Sequence, residues 1–156
     1  MKDNILYFKR SFLRPGSLNG ASILLYKDGD SIGGSFRLAW NDTVVTIHSL
    51  DLEPNSINEF IKKLEKLKST ISSFIFSLEN KSYALYRDWL NAEESFATGS
   101  VAYASCEGSK ITTCYFELAS CTHKIRIYKN EFRSLKSYVR CLRTMENMTG
   151  ALLIKL

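Results

Sequence analysis

Proline and histidine are scarce: only Pro15 and Pro54, and only His48 and His123. So little proline leaves long helices and strands uninterrupted. Two histidines offer little for acid–base or metal chemistry, and neither sits in a pattern such as HExxH. The four cysteines, Cys106, Cys114, Cys121 and Cys141, stand eight, seven and twenty residues apart, and none forms a CxxC pair. A structural zinc site built from Cys106, Cys114, Cys121 and His123 would need ligands paired about two to four residues apart, and that spacing is missing. Long apolar runs are missing too. Ile5-Leu6-Tyr7-Phe8 and Ile23-Leu24-Leu25-Tyr26 fall far short of the roughly 20 residues that cross a bilayer, and the start Met1-Lys2-Asp3-Asn4 lacks the apolar core of a secretory signal. These absences predict a cytoplasmic protein with free thiols used as small core residues.

Catalytic signatures are also lacking. No GxGxxG or P-loop occurs, so Gly29, Gly33 and Gly34 read as turn glycines rather than as a phosphate cradle. A nucleophilic pair of Cys121 or Cys141 with His123 has no supporting signature. The expectation is a protein that is not an enzyme and needs neither cofactor nor metal.

What the sequence does contain is a core. Its 156 residues, 45% hydrophobic and 24% charged, match one soluble globular domain spanning 1–156 rather than a disordered chain. Strand-forming residues fill Asn4 to Phe12 and Ala21 to Lys27, with turns at Pro15-Gly16-Ser17 and Asn19-Gly20. Phe36, Leu38 and Trp40 alternate, and Asn41-Asp42 turns them into the strand Thr43 to His48, a hairpin with one buried face. Ser56 and Glu59 have capping-box spacing, and Ile57, Phe60, Ile61, Leu64 and Leu67 follow at helical steps to about Lys68. Ser82 to Leu90 reads as strand on the spacing of Tyr83, Leu85 and Trp89, while Tyr83, Tyr86 and Leu90 would equally suit a helix. Gly99 to Cys106, Lys110 to Ser120 and His123 to Lys129 complete a second β-rich stretch. A second helix is predicted from an Asn130 cap through Phe132, Leu135, Val139, Leu142 and Met145, stopping at Gly150, with Leu152-Leu153-Ile154 returning as a short strand. The fold class is α+β: two ββββα-like halves, approximately 4–70 and 71–156, of antiparallel sheet covered by two helices.

Charge is unevenly distributed. The formal net charge is +5, and between Lys124 and Arg143 stand Lys124, Arg126, Lys129, Arg133, Lys136, Arg140 and Arg143 against one acid, Glu131. Lys124 and Arg126 alternate with Ile125 and Ile127, and Arg133, Lys136, Arg140 and Arg143 recur at helical steps. Such a stripe is either a solvated helix face or a patch for phosphates or an acidic surface. Tyr103, Tyr115, Phe116 and Tyr128 lie on or beside the strands, as aromatics do in single-strand binders, though Phe116, like Phe36 and Trp40, reads rather as core packing. An acidic counterpart surrounds Trp89, where Asp88, Glu93 and Glu94 flank an aromatic anchor suited to a basic partner.

The order of several strands then a helix, twice, with Ile57-x-x-Phe60-Ile61-x-x-Leu64 closing one half and Phe132-x-x-Leu135-x-x-x-Val139 the other, resembles small bacterial immunity proteins of polymorphic and contact-dependent toxin systems. It is also similar to the Whirly and PUR-type single-strand nucleic-acid binders. The resemblance is architectural and carries over no functional residue. It implies a non-catalytic protein that binds a cognate toxin domain, with Trp89, Asp88, Glu93 and Glu94 the candidate contacts read from the residues. The alternative it implies is a DNA or RNA binder, with Lys124, Arg126, Arg133, Lys136, Arg140 and Arg143 as candidates.

Overall fold

In a computed structural model the chain runs β1 (Asn4–Phe12), β2 (Gly20–Asp28), β3 (Ser31–Trp40), β4 (Thr43–His48), α1 (Ser56–Asn80), β5 (Leu85–Trp89), β6 (Gly99–Glu107), β7 (Lys110–Ala119), β8 (Lys124–Tyr128), a 3-10 turn (Lys129–Glu131) and α2 (Leu135–Lys155). The residues described are 4–13, 19–49, 56–81, 85–89, 99–107, 110–120 and 122–156. Strands pair in chain order, β1-β2-β3-β4 in one sheet and β5-β6-β7-β8 in the other, with every ladder antiparallel. The fold is therefore α+β, four strands and a helix given twice.

Period-two alternation decides which face of each sheet is buried. In the first sheet Phe36 lies opposite Ile47 and Leu38 opposite Val45, all buried, with Ala21, Ile23 and Leu25 of β2 on the same side. In the second, Phe116 lies between Ala102 and Ile127, and Leu118 beside Ile125. Both inner faces and both helices share one core. The helices are exchanged between the halves: α1 packs on β5 and β6 as well as β3, whereas α2 packs on β1 and β2. They also pack on each other, and β4 runs beside β8.

Asn41 and Asp42 both take positive φ (47° and 70°), the pattern of a two-residue type I′ hairpin. Gly33 and Gly34 are not turn residues but lie inside β3, where each lets an aromatic ring approach the backbone. A Cβ on Gly33 would sit 2.4 Å from the Tyr26 ring on the outer face, and one on Gly34 would sit 2.7 Å from the Phe60 ring of α1 on the inner face.

Both helices exceed their predicted lengths. Past Ser69-Thr70 the stripe continues through buried Ile71, Phe74, Ile75 and Leu78, so α1 crosses residue 70 and ends at Asn80. Glu59 meets Lys62 at 3.2 Å, and the Ser56 side chain is outside those described. The second helix is capped by Ser134, whose hydroxyl accepts from the Ser137 amide, and not by Asn130, which lies in the 3-10 turn. Gly150 does not stop it. A Cβ there would stand 3.2 Å from Lys68 Cε, a close approach of the two helices, and buried Met148, Thr149 and Leu152 extend the apolar stripe, so the predicted strand at 152–154 is helix.

The halves join through aromatic rings. Trp40 stacks on Phe132 at 5.9 Å, Phe132 meets Tyr138 at 5.3 Å, and Tyr138 meets Phe74 edge-on at 6.2 Å. Tyr138 is fully buried and donates its hydroxyl to the Ile127 carbonyl at 2.8 Å. Glu131 closes the outer end, accepting from Trp40 Nε1 (3.2 Å), Asn41 Nδ2 (3.1 Å) and the Tyr128 amide (2.9 Å). Removing the hydroxyl by Tyr138→Phe leaves a buried carbonyl without this donor and is predicted to cost about 1–3 kcal/mol. Phe74→Ala is predicted to cost about 3–5 kcal/mol through the cavity it leaves. Urea unfolding of each variant measures both, and a Tyr138→Phe loss under about 0.5 kcal/mol would show that the hydroxyl adds little.

Candidate binding surfaces

Because Ile125 and Ile127 point inward, Lys124, Arg126 and Tyr128 point outward on β8. Their neighbours on the same face follow from the register: Tyr103 lies opposite Tyr115, and Tyr115 opposite Tyr128. The three rings form a ladder with centroids 5.8 and 5.5 Å apart, each ring partly exposed. The Arg126 guanidinium lies 4.4 Å over Tyr115, donates to Glu117 Oε1 at 2.8 Å and to the Tyr128 hydroxyl at 3.2 Å. The Tyr128 hydroxyl, and then Glu117, hold Arg126 protonated even more firmly than an ordinary arginine. Glu117 is buried on this face, so Arg126 neutralises a carboxylate that would otherwise stand alone.

The basic stripe does not form one patch. Lys124 and Arg126 lie on the outer face of β8, while Lys136, Arg140 and Arg143 are exposed on α2, whose Tyr138 bonds to Ile127 from the inner side. Arg133 is exposed but precedes the Ser134 cap and so stands outside the helix. Arg143 is paired with Glu79 (3.3 Å) and Glu146 (3.6 Å). Asp88 and Trp89 belong to β5, their backbones opposite Ser100 and Gly99. Their side chains, and Glu93 and Glu94 altogether, lie outside the described residues.

Sequence reasoning missed the outer face of the first sheet. Register places Ile5, Phe8, Arg10 and Phe12 of β1 on it, together with Ser22 and Leu24 of β2, Arg37 and Ala39 of β3, and Val44 and Thr46 of β4. Arg10 lies over the Phe12 ring at 5.3 Å. An open cleft of about 470 Å³ is lined by Arg10, Arg37, Ala39, Val44 and the β3–β4 turn. Among the described residues no carboxylate lies within ion-pair distance of Arg10 or Arg37, in contrast to Arg126 and Arg143. The available signal was the alternation Phe8, Arg10, Phe12, an arginine between two aromatics at strand spacing. Periodicity does not say that β1 is a sheet edge.

The histidines lie apart. His48 meets the Tyr26 hydroxyl at 3.2 Å, and His123 is exposed beside Thr122. Cys114 and Cys141 are buried thiols not joined in a disulfide, both near Tyr138, while Cys121 and the Cys106 side chain lie outside the described residues. Burial raises the Cys114 thiol to about 11, outweighing the Tyr138 hydrogen bond and the nearby Lys129, which both lower it. Comparison with protein-family models, curated proteins and solved structures finds no match to this chain.

Two predictions follow from these side chains. Arg126→Ala strands the Glu117 carboxylate and is predicted to destabilise by about 1–3 kcal/mol, with Glu117→Gln in the same chain recovering most of it; a double-mutant cycle in urea reads the coupling. For Cys114 the folded state holds its proton to about 11 while the unfolded thiol releases it near 9, so stability should fall as pH rises between those values. Cys114→Ala should flatten that part of the pH–stability curve, and an unchanged slope would rule the thiol out as its source.

Proposed function

We propose that this chain is a non-catalytic binding protein whose partner is another protein, and that it acts in the cytoplasm as an immunity protein neutralising a toxin domain by covering a functional surface. One observation carries the protein-binding reading: Ile5, Leu6, Phe8 and Phe12 of the edge strand β1 are 67%, 52%, 56% and 65% exposed. Large apolar side chains so exposed on one short strand, with Ile5, Phe8 and Phe12 on a single face, form the kind of apolar surface that a protein partner takes out of water. Phenylalanine beside arginine is also the composition of interface cores. The toxin as partner rests on the likeness of the twofold ββββα order to immunity proteins, and Trp89 with Asp88, Glu93 and Glu94 remains a second candidate contact for it.

A second reading has its own support in the tyrosine ladder of Tyr103, Tyr115 and Tyr128, which shares the outer face of the second sheet with Lys124 at the far end of β8, a face on which single-stranded bases would stack. In that reading affinity falls steeply with salt, and Lys124→Gln on the same face flattens the slope by about one phosphate contact.

Co-expression separates the two. A toxin domain encoded beside this gene should be bound in a pull-down and lose its growth inhibition, and Phe8→Ser with Phe12→Ser should weaken the complex by at least about tenfold. A neighbouring toxin that is neither captured nor neutralised rejects the immunity reading. Salt-sensitive binding of oligothymidylate in its place supports the nucleic-acid one.

A further inference from the structure

We infer that the free edge of β1 is a docking site for an extended, acidic strand of the partner, which adds to the first sheet as a fifth strand. The inference rests on the protein-binding reading and specifies its chemistry. Among the described residues β1 pairs only with β2, so one side of its backbone presents donors and acceptors that a further strand would satisfy. A phosphate backbone offers acceptors for the amides alone, whereas a peptide strand meets both the amides and the carbonyls of that row.

The side chains set what the added strand must carry. A strand beside β1 lies about 5 Å away, so its residues meet Phe8, Arg10 and Phe12 as cross-strand neighbours on the outer face. Opposite Phe8 and Phe12 an apolar residue is required; opposite Arg10, a carboxylate. Arg37 reinforces the sign. It stands two strand spacings from Arg10, about 9–10 Å, with Ser22 between them in register. The two guanidiniums border one small depression with Phe12, Gly20 and Ala39, and neither has a carboxylate of its own among the described residues. The recognised pattern is thus apolar, any residue, acid, any residue, apolar. It reads the same in both directions and fits a parallel or an antiparallel addition.

Charge argues against a second copy as the occupant. Pairing two β1 strands would bring Lys9 and Arg10 of both copies onto one short ladder, in a chain of net charge +5. Native sheets use basic residues on edge strands to prevent that association. The same residues select an acidic strand.

The test uses the full chain and a labelled peptide, Thr-Val-Thr-Glu-Thr-Val-Thr, with a second in which Lys replaces Glu. Fluorescence anisotropy should show the Glu peptide binding the native chain at least tenfold more tightly than the Lys peptide. Arg10→Glu should reverse the preference, a result that unfolding cannot mimic. Amide exchange should slow at β1 on peptide addition. Equal binding of both peptides, no binding up to millimolar concentration, or a free chain that sediments as a dimer with β1 amides protected would each overturn the site. Displacement of the peptide by oligothymidylate at lower concentration than by unlabelled peptide would assign the arginines to phosphates and overturn it too. A toxin retained undiminished by Arg10→Glu overturns this docking edge while protein binding stands. The charge swap without capture of a neighbouring toxin keeps the edge and rejects only the immunity reading.

Discussion

The contact on which this structure most depends is the Tyr138 ring. It lies at the meeting of α1, α2 and β8, with Phe74 edge-on, Phe132 beside it and its hydroxyl on Ile127. Its hydroxyl ties α2 to β8 by a buried hydrogen bond. Burial in that setting raises the tyrosine well above its ordinary range, with the thiols of Cys114 and Cys141 adding to the effect. The phenol therefore stays neutral and able to donate. Glu131 does for the rim what Tyr138 does for the interior, binding the β3–β4 hairpin to the turn ahead of α2 through two donors, Trp40 and Asn41, while the Tyr128 amide holds its other oxygen.

Much of this architecture is legible in the residues alone. The hairpin at Asn41-Asp42 is readable because two positions of left-handed backbone call for Asn and Asp, and β6 to β8 are readable because their inward residues alternate cleanly. The helix ends are not, for a tertiary reason. Ser69-Thr70 and Gly150 are local stop signals, but buried Ile71, Phe74, Ile75 and Leu78 carry α1 past the first and the close approach of Lys68 holds the second inside α2, so packing outweighs the small propensity cost. Gly33 and Gly34 show the same limit: a glycine pair reads as a turn until the rings it admits from both faces are in place.

The candidate surfaces divide according to how their charges are met. The stripe that composition makes most visible is split by the second sheet, and two of its arginines, Arg126 and Arg143, already serve internal carboxylates. Arg10 and Arg37, far apart in sequence and unremarkable in any count of charge, meet across β2. Only register brings them together. A run of charge in a sequence measures how much is present; the fold decides how much is left over.

The exchange of helices between halves has a consequence for synthesis. The inner face of β1 and β2 is covered by α2, more than a hundred residues further along, and α1 finds β5 and β6 only after they have been made. Contacts so distant along the chain carry a large closure entropy and slow folding. A ribosome that has produced the first half has therefore produced a sheet with part of its apolar face uncovered. Each half leaves apolar surface for the other to cover, and the nascent chain stays vulnerable to aggregation until α2 has been translated.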